Sequence, residues 1–140
     1  MEGKVPKICD FGSSIINCSC YDGPRDQEGS TPWDSPELME EDTTRTTESD
    51  VWAFGCAALE IQMGLMPWDR DGNVHRAMSL QIRGGYPAKE EWLNLGDNGV
   101  LQGVWGLMKC CWQEEPSERP KLQEILFQLE ELAAVNLVPA

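Results

Sequence analysis

The side chains able to do chemistry in this sequence are few and widely spaced. Six cysteines and one histidine are the natural candidates for metal or redox work. Cys18-x-Cys20 and the adjacent pair Cys110-Cys111 lack the C-x-x-C spacing that sets two thiolates on one ion, and His75 alone cannot complete a Cys2His2 set. A structural zinc is not expected. Arg119 stands beside Pro120 at the opening of the last predicted helix, where the helix dipole disfavours positive charge, so it should seek a carboxylate. Glu37 follows Pro36 at another helix start, where negative charge is favoured. Asp10 closes the apolar stretch around Val5 and Ile8 and precedes Phe11-Gly12; taken alone it is a carboxylate in a strand-ending turn.

These residues need elements to position them. Residues 4–16 read as a short strand, a turn at Gly12 and a second extended piece. Residues 13–34 are largely polar and form a long loop, of a length that compact domains keep for function or leave disordered. Pro36 opens a short helix over residues 37–41. Thr47-Glu48-Ser49-Asp50 resembles a capping box, with Thr47 as N-cap and Asp50 three positions on. The helix that follows, residues 48–63, carries apolar side chains in nearly every direction and is predicted to be a central post buried on most sides, ending at Gly64. A third helix is predicted over residues 74–83. A fourth carries Val100, Leu101, Val104, Trp105, Leu107, Met108, Cys111 and Trp112 at three- and four-residue steps, stopped by Pro116. The last, from about Pro120, presents Leu122, Ile125, Leu126, Leu129, Leu132 and Ala133 on one face.

At 140 residues the chain holds one ordinary domain, and its 41% apolar and 25% charged content argues against global disorder. The net charge of −13 repels phosphate backbones and anionic lipid, so neither nucleic acid nor a membrane surface is an expected partner. The N-terminal stretch has no apolar run of about 7 to 15 residues of the kind a signal peptide needs. No segment reaches the roughly 18 to 20 apolar residues of a bilayer span. A cytoplasmic location with free thiols is the expectation.

Four landmarks in order change the weight of each motif. They are Asp10-Phe11-Gly12, then Gly29-Ser30-Thr31-Pro32-Trp33-Asp34-Ser35-Pro36-Glu37, then Ser49-Asp50-Val51-Trp52-Ala53-Phe54-Gly55, then Cys111-Trp112-x-x-x-Pro116-x-x-Arg119-Pro120. Together they resemble the C-terminal lobe of a protein kinase catalytic domain, most like the tyrosine-kinase and tyrosine-kinase-like branches, over residues 7–132. The resemblance implies a mainly α fold: a short N-terminal extended segment, a long activation-type loop, and about four to five helices around a buried central helix. It implies a partial kinase domain over residues 1–134, with an activation segment at 10–37, the central helix at 48–63, the last helix at 119–133 and a tail at 135–140. It implies Asp10 as a Mg²⁺ ligand and Asp10, Phe11, Gly12, Ser35, Pro36 and Glu37 as landmarks of the activation segment. Glu37 is the implied partner of Arg119, against the alternative of two separately solvated charges. Asp50 either braces the catalytic loop or caps its own helix with Thr47, and Trp112 is a core aromatic. Tyr21, Ser30 and Thr31 lie where kinases are switched by phosphorylation.

The same resemblance shows what these 140 residues lack. ATP and Mg²⁺ serve the full-length family, which transfers phosphate to protein Ser, Thr or Tyr using a glycine-rich lid, a strand Lys and H-R-D-x-x-x-x-N ahead of D-F-G. None of these precedes Asp10 here, and His75-Arg76-Ala77 is a decoy, lying downstream with Ala for Asp and Ile82 for Asn. Met1 reads as an internal methionine of a longer kinase, making this a truncated product or remnant. The chain is expected to be inactive alone and to bind no nucleotide tightly; the alternative is a pseudokinase-like module that binds protein without catalysis. Asp34 and Ser35 replace the hydrophobic residue and Ala that commonly precede Pro-Glu, which places a charge near where a peptide substrate would lie.

Overall fold

The computed structural model describes residues 5, 7–9, 11, 14, 31–40 and 43–135. A 3-10 turn at Pro36–Met39 precedes helices α1 (Thr47–Met63), α2 (Val74–Gln81), α3 (Gly99–Cys111) and α4 (Leu122–Val135), and further 3-10 turns lie at Glu90–Trp92 before α3 and Pro116–Glu118 before α4. No strand occurs among the described residues. Of the extended start predicted over residues 4–16, the described residues 5 and 7–9 belong to no strand and the side chains of Val5 and Ile8 are exposed; a strand needs a neighbour to pair its amides and carbonyls.

Helix α1 begins one residue earlier than the sequence suggests. Thr46 is its N-cap: its hydroxyl accepts from the Ser49 amide at 3.2 Å, and Ser49 Oγ accepts from the Thr46 amide at 2.9 Å. Ser49 thus closes the box predicted for Asp50, because its short hydroxyl already reaches back to the cap amide. The helix ends at Gly64, whose φ of 65° lies in the left-handed region and whose amide bonds Glu60 O at 2.9 Å. Val51, Trp52, Gly55, Cys56 and Leu59 are buried, whereas Ala57 and Glu60 are exposed and Ile61 is 85% exposed. The predicted post is therefore buried along one side only, since no described element covers the other.

Helix α3 lies between α1 and α4. Asn98 caps it through Oδ1, which accepts from the amides of Val100 and Leu101. Its packing against α1 depends on Gly55, which leaves room for Trp112: a Cβ at Gly55 would stand 2.7 Å from Trp112 Nε1 and 2.9 Å from Cys111 Cβ. Trp112 meets Trp105 edge-on at 5.9 Å, while Trp52 stacks on Trp68 at 6.5 Å, so four buried indoles pack within the core. Helix α2 is capped by Asn73 and stops at Gln81; Ile82 and Arg83 form a turn before Gly84 and Gly85, both at positive φ. In α4 only Ile125 is fully buried. Leu129 and Leu132 pack partly against the core, and Leu122, Leu126 and Ala133 of the predicted apolar face are exposed. Burial pushes the thiols of Cys56 and Cys111 up, the latter to about 12, which leaves both as inert packing groups.

The Gly55 contact yields a specific expectation. Gly55→Ala should destabilise the fold by about 1–3 kcal/mol in urea titration, because the indole behind it has no room to move. Gly103→Ala should cost less, since the added methyl meets only the flexible tip of Leu132 and gains up to about 1 kcal/mol of helix propensity.

Candidate functional site: the loop before Ser-Pro-Glu and its anchors

Pro36 opens a single 3-10 turn rather than the predicted helix over residues 37–41, and this turn presents Glu37 to the α1–α3 block. Arg119 meets it with a two-pronged ion pair, Nη1 to Oε1 at 2.6 Å and Nη2 to Oε2 at 2.7 Å. The same guanidinium donates to Glu48 O at 3.0 Å, to Gln113 O at 2.9 Å and to Glu114 O at 3.4 Å. All five N–H groups of the fork are used. The group also lies over the Trp52 ring, 5.1 Å from its centroid, and its side chain has no exposed surface. Burial alone would raise the Glu37 carboxyl, but the hydrogen bonds from Arg119 and from Ser35 Oγ, 2.7 Å away, hold it below its ordinary value.

Immediately upstream, residues 31–35 form a turn bonded from three directions. Asp34 N donates to Thr31 O at 3.0 Å, and Thr31 N returns a bond to Asp34 Oδ2 at 2.7 Å. Arg45 Nη1 pairs with Asp34 Oδ1 at 3.0 Å. The charge expected near where a peptide would lie is turned inward: Asp34 is only 7% exposed, and its oxygens are held by Arg45 and by its own turn. Ser35 is buried beneath it. Trp68 Nε1 donates to Pro32 O at 3.0 Å, and Gln81 Nε2 donates to Thr31 O at 2.9 Å and Asp34 O at 2.8 Å. Trp33 is half-buried and its indole N–H bonds Glu60 of α1.

Arg45, Trp68 and Gln81 are the functional neighbours that sequence reasoning missed. Of these, only Pro67-Trp68 carried a visible cue, as an aromatic after a rigid residue at the end of an apolar stretch. Among the predicted site residues, Ser35, Pro36, Glu37 and Arg119 are brought together, while Trp112 sits in the core at 1% exposure. Asp50 stands on the exposed side of α1. The cap reading for it fails, because Thr46 and Ser49 make the box; partial desolvation raises its carboxyl, with the charge of Arg45 opposing. Thr31 and Phe11 are exposed, and Asp10, Gly12, Tyr21 and Ser30 lie outside the described residues. His75 is exposed on α2. No cluster of three or more potential metal ligands occurs among the described residues.

A family model described as protein tyrosine and serine/threonine kinase matches residues 1–129. The chain belongs to the protein kinase family. It is 31% identical over 138 residues to the macrophage colony-stimulating factor 1 receptor of Mus musculus and 30% identical over 138 residues to the tyrosine-protein kinase abl-1 of Caenorhabditis elegans. It is 31% identical over 135 residues to a mitogen-activated protein kinase kinase kinase of Drosophila melanogaster. These matches cover 96%, 96% and 95% of this chain but only 13%, 10% and 11% of the respective relatives. This kinase-family chain is thus similar to a small part of much longer proteins. Its mainly helical fold agrees with the C-terminal-lobe resemblance.

The Glu37–Arg119 pair gives a test of stability and of its pH dependence. Glu37→Ala should cost about 3–5 kcal/mol, nearer the lower figure because the carboxylate side is 22% exposed and water can partly replace it. Because folding depresses this pKa, the pair's contribution is complete above the ordinary carboxylate value and is lost as pH falls through the lowered one. Urea titrations across pH should show the gap between wild type and Glu37→Gln closing under acid; a gap that widens there would contradict the assignment.

Proposed function

We propose that residues 1–134 are the C-terminal-lobe part of a protein kinase domain, with an activation segment at residues 10–37 and a tail from 135, and that the 140-residue chain alone does not transfer phosphate. The observation that carries this reading is the saturated Arg119 fork on Glu37. It fastens the Ser35-Pro36-Glu37 stretch to the helical block at the place where the family resemblance puts it. Within the longer family the reaction is transfer of the ATP γ-phosphoryl to a protein hydroxyl, and Mg²⁺ supplies charge neutralisation when bound. Asp10, the proposed Mg²⁺ ligand, lies outside the described residues, among which no cluster of three or more potential metal ligands occurs. With one proposed Mg²⁺ ligand and no base ahead of D-F-G in these 140 residues, rate enhancement from positioning and charge stabilisation is expected to be lost almost entirely.

What the chain's own residues do is mechanical. Arg119 and Glu37 tie the end of the activation segment to α1 and to the turn before α4, while Asp34 and Arg45 hold the adjoining turn. Asp50, freed of any cap role, is the group we assign to brace a catalytic loop when one is supplied. No helix among the described residues is long and apolar enough to cross a membrane, and the proposed location is cytoplasmic. Protein substrates or protein partners are the proposed ligands.

A second reading, a non-catalytic module that binds protein, is favoured by the uncovered apolar side chains Ile61, Leu122, Leu126 and Phe127. Purified protein incubated with Mg²⁺, radiolabelled ATP and a mixed Ser/Thr/Tyr peptide pool should incorporate no label above a heat-denatured control. Turnover that follows the protein through successive columns would overturn the proposal of inactivity.

A further inference from the structure

The anchoring of residues 31–35 goes beyond what the Glu37–Arg119 pair accounts for. Three backbone carbonyls of this short turn, those of Thr31, Pro32 and Asp34, each accept a hydrogen bond from a side chain 36 to 50 residues away in sequence. Trp68 supplies one of these bonds and Gln81 the other two. Both donors carry signs of being held for this purpose at a cost. Gln81 is only 4% exposed, and while its amide NH₂ uses both hydrogens on the turn, its Oε1 is buried without a partner. A leucine of similar size would fill the space with no orphaned acceptor. Trp68 holds φ at 66°, a left-handed conformation that a bulky side chain adopts only when its surroundings force it. That conformation belongs to the residue whose indole reaches Pro32 O.

We propose that Gln81 and Trp68 are positioning residues for the peptide-side loop: in addition to the Glu37–Arg119 pair, they hold residues 31–35 in one shape through bonds that involve no phosphate on the preceding hydroxyls. The peptide-facing role rests on the kinase reading; the latch itself does not. The bonds come from the connection after α1 and from the last residue of α2, so the loop's shape is set by the helical block. Its internal turn, Asp34 N to Thr31 O and Thr31 N to Asp34 Oδ2, then closes within that frame, and Arg45 neutralises the one formal charge among these five residues.

Amide hydrogen exchange on the full 140-residue chain, made in bacteria and shown by mass to carry no phosphate, tests this directly. In the wild type the amides of Thr31 and Asp34 should be protected. Gln81→Leu should accelerate their exchange by about tenfold or more while α3 and α4 exchange as before and the thermal midpoint holds. Trp68→Phe, which keeps an aromatic ring but removes the donor, should do the same and serves if the first variant fails to fold. Unprotected loop amides in the unphosphorylated wild type would overturn the proposal. So would unchanged loop exchange in the variants, or an acceleration spread evenly over α1, α3 and α4, which would mark Gln81 and Trp68 as core residues only. Exchange reads the loop without ATP or peptide, so a failed latch would leave the kinase reading standing, and a failed kinase reading would leave the latch standing.

Discussion

A guanidinium buried without exposed surface is tolerable only if every N–H finds an acceptor, and the rest of this structure is arranged around meeting that demand at Arg119. Its acceptors are four residues in three places along the chain: the Glu37 carboxylate, the Glu48 carbonyl in the first turn of α1, and the adjacent Gln113 and Glu114 carbonyls after α3. Trp52 adds its ring face to these five hydrogen bonds. The planar fork of arginine suits this geometry as a lysine's single point of charge would not. Because the acceptors lie on separate elements, the satisfied charge fixes how those elements meet, which packing among apolar side chains alone specifies less sharply.

A second polar set, centred on Asp34, does for the loop what Arg119 does for the helices. The two sets meet through the run Asp34-Ser35-Pro36-Glu37, where Ser35 Oγ donates to Glu37. A short segment thus has one end clamped by charge and the other by backbone carbonyls that accept from Trp68 and Gln81. Arg45 sits between them in effect, pairing with Asp34 and lying just ahead of the Thr46 cap of α1.

Much of this was legible in the sequence, for identifiable reasons. The three- and four-residue spacing of Val104, Trp105, Leu107, Met108 and Cys111 reports α3 because only a helix gathers those positions on one side. Arg119 announced its need for a carboxylate by standing next to Pro120, though Glu37 as the partner came from the family pattern rather than from charge. The box at α1 was displaced by one because Ser49 and Asp50 can both reach back, and nothing local decides between them. The inward turn of Asp34 was not legible, since it depends on Arg45 and on a backbone bend eleven residues before it. Gln81 was invisible for a stronger reason: a side chain that serves carbonyls about fifty residues away leaves no periodicity to read. The exposure of Ile61 on α1 and of Leu122 and Leu126 on the apolar face of α4 was not legible, because an apolar pattern reports which faces prefer cover and not whether cover is present.

Trp68 joins two things that proteins usually keep apart, a loop attachment and the packed interior. Its indole nitrogen is bonded to Pro32 while its ring lies against Trp52, which in turn carries the Arg119 charge over its face. Any loosening of the loop therefore alters the polar surroundings of an indole whose stacking partner carries the buried Arg119 cation over its ring. The ultraviolet emission of this chain is in that sense a built-in gauge, one in which surface geometry and interior charge register on the same chromophores.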